Sequence, residues 1–157
     1  MGKEIERKFL VKEGAWQPKD KGTTIRQGYL SSVKERVVRV RTKGEKAFIT
    51  IKGITKGISR SEFEYQIPVE DADPLLTNLC EQPLIEKTRY KEVCGNHTWE
   101  IDVFFGSNLG LIVAEVELKD ETELLELPNW VGEEVSSDPR YFNSNLIQNP
   151  YEKWGRG

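Results

Sequence analysis

The stretch Glu4-Ile5-Glu6-Arg7-Lys8-Phe9-Leu10-Val11 decides how this chain is read. Taken with period two, it sets Glu4, Glu6 and Lys8 on one side and Ile5, Phe9 and Val11 mostly on the other. A strand spaces such same-face neighbours by roughly 6.6–6.8 Å, near enough for two carboxylates to converge on one cation. A helix turns residues two apart onto opposite faces, because its period is 3.6. If the polar triplet is a site, it is a strand site, and the rest of the chain must supply its partners.

The same alternation recurs downstream. Thr24-Ile25-Arg26-Gln27-Gly28-Tyr29-Leu30 reads as a second strand with faces Ile25/Gln27/Tyr29 and Arg26/Gly28/Leu30. Residues 36–41 oppose Val38 and Val40 to Arg39 and Arg41, and residues 47–52 oppose Ile49 and Ile51 to Thr50 and Lys52. Residues 59–67 set Glu62, Glu64 and Gln66 against Phe63, Tyr65 and Ile67. Three more strands follow, over 84–90 with Lys87 and Arg89 together, 98–104 with Glu100 and Asp102, and 111–118 with Glu115 and Glu117. The pattern breaks at Pro68, where Leu75, Leu76 and Leu79 predict a short helix over 69–80. Residues 121–127 suit one or two helical turns. Residues 138–147 begin as a helix does, with Asp138 as N-cap and Pro139 at the first position. The sum is about eight mostly antiparallel strands with two or three small helices.

Composition narrows the class. At 157 residues the chain suits one domain, residues 1–157, able to bury a core. A net charge of −3 gives no global basic field to favour nucleic acid or a membrane surface. Met1-Gly2-Lys3-Glu4 runs straight into the first strand, Glu6 stands where a myristoylation motif needs Ser or Thr, and no segment nears a membrane span. Cys80 and Cys94 are too few for a disulfide scaffold or zinc cluster, so both read as plain thiols and the compartment as cytoplasmic. His97, the single histidine, sits beside a turn and reads as an exposed bystander.

Six strands carry like-signed pairs two residues apart: Glu4/Glu6, Arg39/Arg41, Glu62/Glu64, Lys87/Arg89, Glu100/Asp102 and Glu115/Glu117. Two carboxylates about 6.7 Å apart repel by roughly 0.6 kcal/mol in water and about four times that at an effective dielectric near 20. On an open surface the penalty is trivial. Inside a closed barrel, cations must offset it, and the basic pairs would call for a polyanion. The opposite faces are strongly apolar, and a barrel with a polar lumen would turn them outward for the helices to cover. A sandwich would bury them between two sheets. Periodicity alone does not choose between these.

The residues do resemble a known family. Glu4-Ile5-Glu6-Arg7-Lys8 has the E-x-E-x-K form that opens the CYTH superfamily, also called triphosphate tunnel metalloenzymes. The resemblance continues in order through Arg26-Gln27-Gly28-Tyr29-Leu30, Arg39-Val40-Arg41, Lys52, Glu62-Phe63-Glu64, Glu86-Lys87-Thr88-Arg89-Tyr90, Asp102, Glu115-Val116-Glu117 and Asp138-Pro139-Arg140-Tyr141-Phe142-Asn143. It covers almost the whole chain and is most like the small bacterial tripolyphosphatases.

The resemblance implies a mainly β fold, a closed eight-stranded antiparallel β-barrel with a few short helices packed outside. It implies metal-dependent hydrolysis of inorganic tripolyphosphate, with some action on nucleoside triphosphates. Arg39, Arg41, Lys52, Lys87 and Arg89 would clamp the phosphates, with Arg140 from the closing helix. Glu4, Glu6, Glu115 and Glu117 would hold one Mg²⁺ or Mn²⁺ ion; a second would sit near Asp102 and Glu62 or Glu64. Lys8, oriented by Tyr29, would handle the proton of the attacking water. The alternatives are cyclisation of ATP, as in a class IV-type adenylate cyclase, hydrolysis of thiamine triphosphate, and a non-catalytic polyphosphate-binding module. Oligomeric state stays open between monomer and homodimer, since Trp130 and the Tyr151/Trp154 tail could pack on a neighbour or on the barrel.

Overall fold

The computed structural model describes residues 3–154; the Met1-Gly2 start read above lies outside them. The alternating segments form nine strands: β1 (Lys3–Val11), β2 (Thr23–Ser31), β3 (Val37–Lys43), β4 (Lys46–Lys52), β5 (Ser59–Ile67), β6 (Glu81–Cys94), β7 (His97–Phe104), β8 (Ile112–Glu117) and β9 (Val131–Glu134). Eight of them pair antiparallel in the order β5-β4-β3-β2-β6-β7-β8-β1, and a β1–β5 pairing closes the ring. That seam is three pairs long, Lys3↔Ser61, Glu4↔Arg60 and Ile5↔Ser59. Farther along, β9 takes over the same edge of β1, with Phe9↔Glu134 and Val11↔Val131 in register. This ninth strand was not expected, because Val131-Gly132-Glu133-Glu134 is too short to show alternation.

The ring turns the charged faces of β1 and of β3 to β8 inward, with β2 contributing Gln27 and Tyr29, so the polar-lumen barrel is the arrangement adopted. Its interior has two storeys. At one end Tyr29, Val37, Ile85, Phe104, Leu111 and Val113 form an apolar floor sealed by Tyr141, Leu146 and Ile147 of the C-terminal segment. Two residues along from Val37, Ile85 and Val113, and two back from Phe104, stand Arg39, Lys87, Glu115 and Asp102. Inward-facing rows therefore change from apolar to charged partway along the barrel.

Two apolar clusters cover parts of the outside. Phe9, Trp99, Ile101, Ala114, Val116, Trp130 and Val131 pack together, with Trp99 edge-on to Trp130 at 5.6 Å. Val40, Ala47, Ala72, Leu76 and Cys80 form the other, under a helix that begins as α1 (Val69–Pro74) and continues as a π-helical turn (Leu75–Leu79). The wider turn, closed by Cys80 N–H to the Leu75 carbonyl at 2.9 Å, buries Leu76 completely and swings Leu79 out to 66% exposure. This one helix does not reach the far side of β5, so Phe63 and Tyr65 stay exposed rather than covered.

Three local expectations are corrected. Residues 121–127 are not helical. Their acids reach back to the barrel instead, Glu121 accepting from Ser59 Oγ (3.0 Å), and Leu125 packs inward while Leu124 is 91% exposed. Glu123 pairs with His97, which is a tether for this loop and not a bystander. The C-terminal helix is broken in two: Asp138 caps a 3₁₀ turn (Pro139–Tyr141) by accepting from Arg140 N–H, Phe142 is extended, and α2 (Asn143–Leu146) follows. Trp130 and Trp154 pack on this chain's own rings, Trp154 against Tyr141 and Tyr151 at 5.0 Å. Among the described residues no helix is long and apolar enough to cross a membrane.

Candidate active site

The charged storey of the barrel encloses a cavity of about 200 Å³. Its wall is seven acids, seven bases and one amide: Glu4, Glu6, Glu62, Glu64, Glu100, Glu115 and Glu117; Lys8, Arg39, Arg41, Lys43, Lys52, Lys87 and Arg89; and Asn143. Period-two alternation on β1 and on β3 to β8 brings all but the amide here, because successive inward residues of a closed barrel converge on one axis. A second, smaller recess opens off Glu4, Glu6 and Lys8 toward Thr55, Ile58 and Arg60.

Signs are sorted around the ring. Arg39 and Arg41 on β3 face Lys87 and Arg89 on the same side of the lumen, and both arginines donate to Glu64 Oε2, at 3.4 and 3.3 Å. Thr50 Oγ1 adds a 2.7 Å bond to that carboxylate, and together these hold Glu64 below the usual carboxylate range despite the opposing effect of burial. Lys52 Nζ lies 3.1 Å from Glu4 and 3.5 Å from Glu62, and Arg60 Nε lies 3.1 Å from Glu4. Burial works against the Glu4 charge, but Lys52 and Arg60 outweigh it and keep its carboxyl low.

Glu6 behaves oppositely. Burial first, then the neighbouring Glu115 and Glu4 charges, push its carboxyl well above the usual range. Glu115 is held well below that range because Lys8 and Arg89 outweigh its burial. The Glu115 and Glu4 charges both act on Glu6, so this group of carboxyls carries a mutual repulsion that a cation would relieve. Lys8 Nζ donates to the Tyr141 carbonyl at 3.0 Å and lies 5.8 Å from the centre of the Phe142 ring.

The base wall is unevenly neutralised: Arg89 pairs with Asp102, with Glu100 at 3.3 Å and with Glu115 at 3.5 Å, and these outweigh its burial, whereas Arg39 and Arg41 share Glu64. Burial, then Arg39 and Arg89, lower Arg41 to about 10. Burial lowers Lys87 to about 8, although Asp102 works the other way. Asp102 is 1% exposed and accepts two bonds from Arg89, at 2.7 and 2.9 Å, and one ion pair from Lys87 at 2.8 Å. The Nε atoms of Arg39 and Arg41 are buried without a partner among the described residues.

Twelve of the fifteen site residues named from the sequence line the cavity; Asp102, Tyr29 and Arg140 do not. Asp102 lies behind Lys87 and Arg89 with its oxygens taken. The Tyr29 hydroxyl accepts from Gln27 Nε2 at 3.0 Å, and the Lys8 contact expected of it is made by the Tyr141 carbonyl. Arg140 lies outside, paired with Asp138 at 2.8 Å and stacked 5.0 Å from the Trp154 ring. The sequence reading missed Lys43, Glu100 and Asn143 as lining residues. Lys43 continues the Arg39/Arg41 alternation and Glu100 had been seen to share a face with Asp102; Asn143 comes from a helical turn and carries no strand signal. Among the described residues no three acids are gathered closely enough to form a ready metal cage, because Glu4 turns to Lys52 and Arg60 and Glu6 to Glu115.

Comparison with known proteins agrees along most of the chain. The CYTH domain profile matches residues 2–151. A relative from Acetivibrio thermocellus named inorganic triphosphatase is 51% identical over 154 residues, covering 98% of this chain and 99% of its own. One of the same name from Nitrosomonas europaea is 38% identical over 149 residues, covering 91% and 95%. A solved inorganic triphosphatase superposes with TM-score 0.65 at 36% identity, over 92% and 97%. A Pyrococcus horikoshii protein, 20% identical with TM-score 0.55 over 75% of this chain and 79% of its own, shares the fold.

The Asp102 cluster yields a stability prediction. Replacing Asp102 by Asn leaves Lys87 and Arg89 buried without their shared counter-charge, and breaking a buried pair this way costs about 3–5 kcal/mol. Urea denaturation of Asp102→Asn beside wild type should show a loss of that size; an unchanged midpoint would mean that the cluster carries no such weight.

Proposed function

The chain belongs to the CYTH family, and from that premise we propose that it is a cytoplasmic, metal-dependent hydrolase of inorganic tripolyphosphate. The observation that carries this reading is the sorted lumen: buried bases on one side, where Arg39 and Arg41 share a single carboxylate and leave both Nε atoms without a partner among the described residues, and carboxylates crowded against one another on the other. A linear triphosphate supplies anionic oxygens to the first, and a divalent cation supplies positive charge to the second. Arg39 and Arg41 present forked donors and Lys52, Lys87 and Arg89 complete the clamp. Lys43 extends it toward the mouth.

The donor set suits a hard ion. Glu4, Glu6, Glu115 and Glu117 offer carboxylate oxygens of the kind Mg²⁺ or Mn²⁺ takes, and the crowding of Glu6 by the Glu115 and Glu4 charges is where positive charge is wanted. A second ion would fall to Glu62 and Glu64. When bound, such ions neutralise phosphate charge and polarise the attacking water. Water then attacks a terminal phosphorus, one anhydride bond breaks, and pyrophosphate leaves; we assign the water's proton to Lys8 in its neutral form, since an ammonium has no lone pair to accept it. We read Asp102 as the counter-charge that aims Lys87 and Arg89, since its oxygens are already engaged. Among the described residues the main cavity wall is charged side chains and one amide, and Phe142 and Ile58 line only the smaller recess beside it, which favours the inorganic substrate over ATP cyclisation.

Two measurements test this. Wild type should release phosphate from tripolyphosphate with Mg²⁺ or Mn²⁺, and loss of the Arg41 clamp should slow it by roughly a hundredfold. No turnover with either ion, or full activity in Glu4→Ala, Glu6→Ala and Arg41→Ala, would sink the assignment. The pH profile is a second check. Free Lys87 loses its proton as pH rises through about 8, so kcat/KM should fall above that pH. Bound anion favours the charged form, so the same limb in kcat should lie higher; a kcat/KM flat to pH 10 would contradict the role of Lys87.

A further inference from the structure

Asn143 is the one lining residue that no strand supplies, and its hydrogen bonds fix its orientation. Lys87 Nζ donates to its Oδ1 at 3.0 Å, and Gln27 Nε2 donates to the same atom at 3.3 Å. An ammonium can only donate, so the amide atom facing Lys87 must be oxygen. Gln27 must then present its NH₂ group, which also reaches the Tyr29 hydroxyl at 3.0 Å, and its own Oε1 is left buried without a partner. One buried cation thus orients two amides in sequence. Turning Asn143 over would set donor against donor at Lys87.

With Oδ1 committed, the Nδ2 hydrogens of Asn143 remain, and among the described residues no protein group accepts them. Asn143 borders the lumen beside Lys87. We infer that Asn143 is a substrate-contacting residue, whose NH₂ donates to a phosphate oxygen while its Oδ1 keeps Lys87 aimed. This rests on the triphosphatase reading above and adds to it a neutral, directional donor in a wall otherwise built of full charges. The same segment holds a second lysine: Tyr141 accepts from Lys8 Nζ, and Ser136 Oγ accepts from Lys8 N–H at 2.9 Å. The C-terminal segment is therefore part of the binding wall, and Asn143 is the residue through which it would touch substrate.

Two variants separate contact from support. Asn143→Asp keeps an oxygen for Lys87 and Gln27 but replaces the NH₂ donor by a charge that itself repels phosphate; Asn143→Leu keeps the volume, removes both and adds no charge, and the Lys87 limb of its kcat/KM pH profile reports any lost support. For each, the KM and kcat for tripolyphosphate with Mg²⁺ would be measured, with the calorimetric dissociation constant of tripolyphosphate alone and the melting temperature. The expected result is KM and dissociation constant raised by roughly tenfold or more in both variants, kcat changed less, and the melting temperature of Asn143→Asp kept. Wild-type affinity in either variant overturns the inference and leaves Asn143 as a prop for Lys87. Wild type that neither binds nor hydrolyses tripolyphosphate overturns instead the reading on which it rests, and the inference falls with it.

Discussion

Asp102, 1% exposed between Lys87 and Arg89, is the charge on which the lumen depends. Two cations taken out of water beside Arg39 and Arg41 would otherwise repel and lose their hydration together. One carboxylate, bidentate to Arg89 and paired with Lys87, lets both stay on the wall without neutralising it. Burial first, and then the neighbouring cations, depress the proton affinities of Lys87 and Arg41. Across the cavity the converse holds, with Glu6 pushed up by burial and by Glu115 and Glu4. The interior is a pair of unlike half-sites, each short of the charge that a phosphate chain or a cation would bring.

Closure of the sheet makes this possible. The β1–β5 seam is short, and β9 and the C-terminal segment complete what it leaves open. That segment seals the floor with Tyr141, Leu146 and Ile147 and anchors Lys8 by accepting its hydrogen bonds at the Ser136 hydroxyl and the Tyr141 carbonyl. The apolar floor excludes water from one end of the cavity. Low local dielectric there strengthens every ion pair above it and shifts the titration of its nearest members.

Much of this was legible in the chain because period-two alternation is a strong signal when one face is charged. Glu4/Glu6, Arg39/Arg41, Lys87/Arg89 and Glu115/Glu117 could be put on strand faces from spacing alone, and the ordered resemblance turned those faces inward. What strands do not encode was not legible. Asn143 reaches the lumen from α2, and Arg140, close by in the same motif, stacks outside on Trp154. The split between them is Phe142, whose extended backbone breaks the helix that a capping Asp138-Pro139 pair predicts. Depth along the barrel was equally hidden. Asp102 and Glu100 share a face, yet one lies behind the base wall and the other borders the cavity, a difference set by strand register and not by alternation.

Most of the lumen's ion pairs join groups that the proposed ligands would claim, so they are the contacts expected to rearrange when substrate arrives. Glu4 would exchange Lys52 and Arg60 for an ion, Glu6 and Glu115 would share that ion in place of their mutual repulsion, and Arg39 and Arg41 would turn from Glu64 to phosphate. The Asp102 pairs would stay. A crystal structure with tripolyphosphate and Mg²⁺ reads this directly. The account predicts phosphate oxygens on Arg39, Arg41, Lys52, Lys87 and Arg89, with an ion on the Glu4, Glu6, Glu115 and Glu117 side. Ligand bound outside the barrel, with the Glu4–Lys52 and Glu64–Arg41 pairs intact, would contradict it.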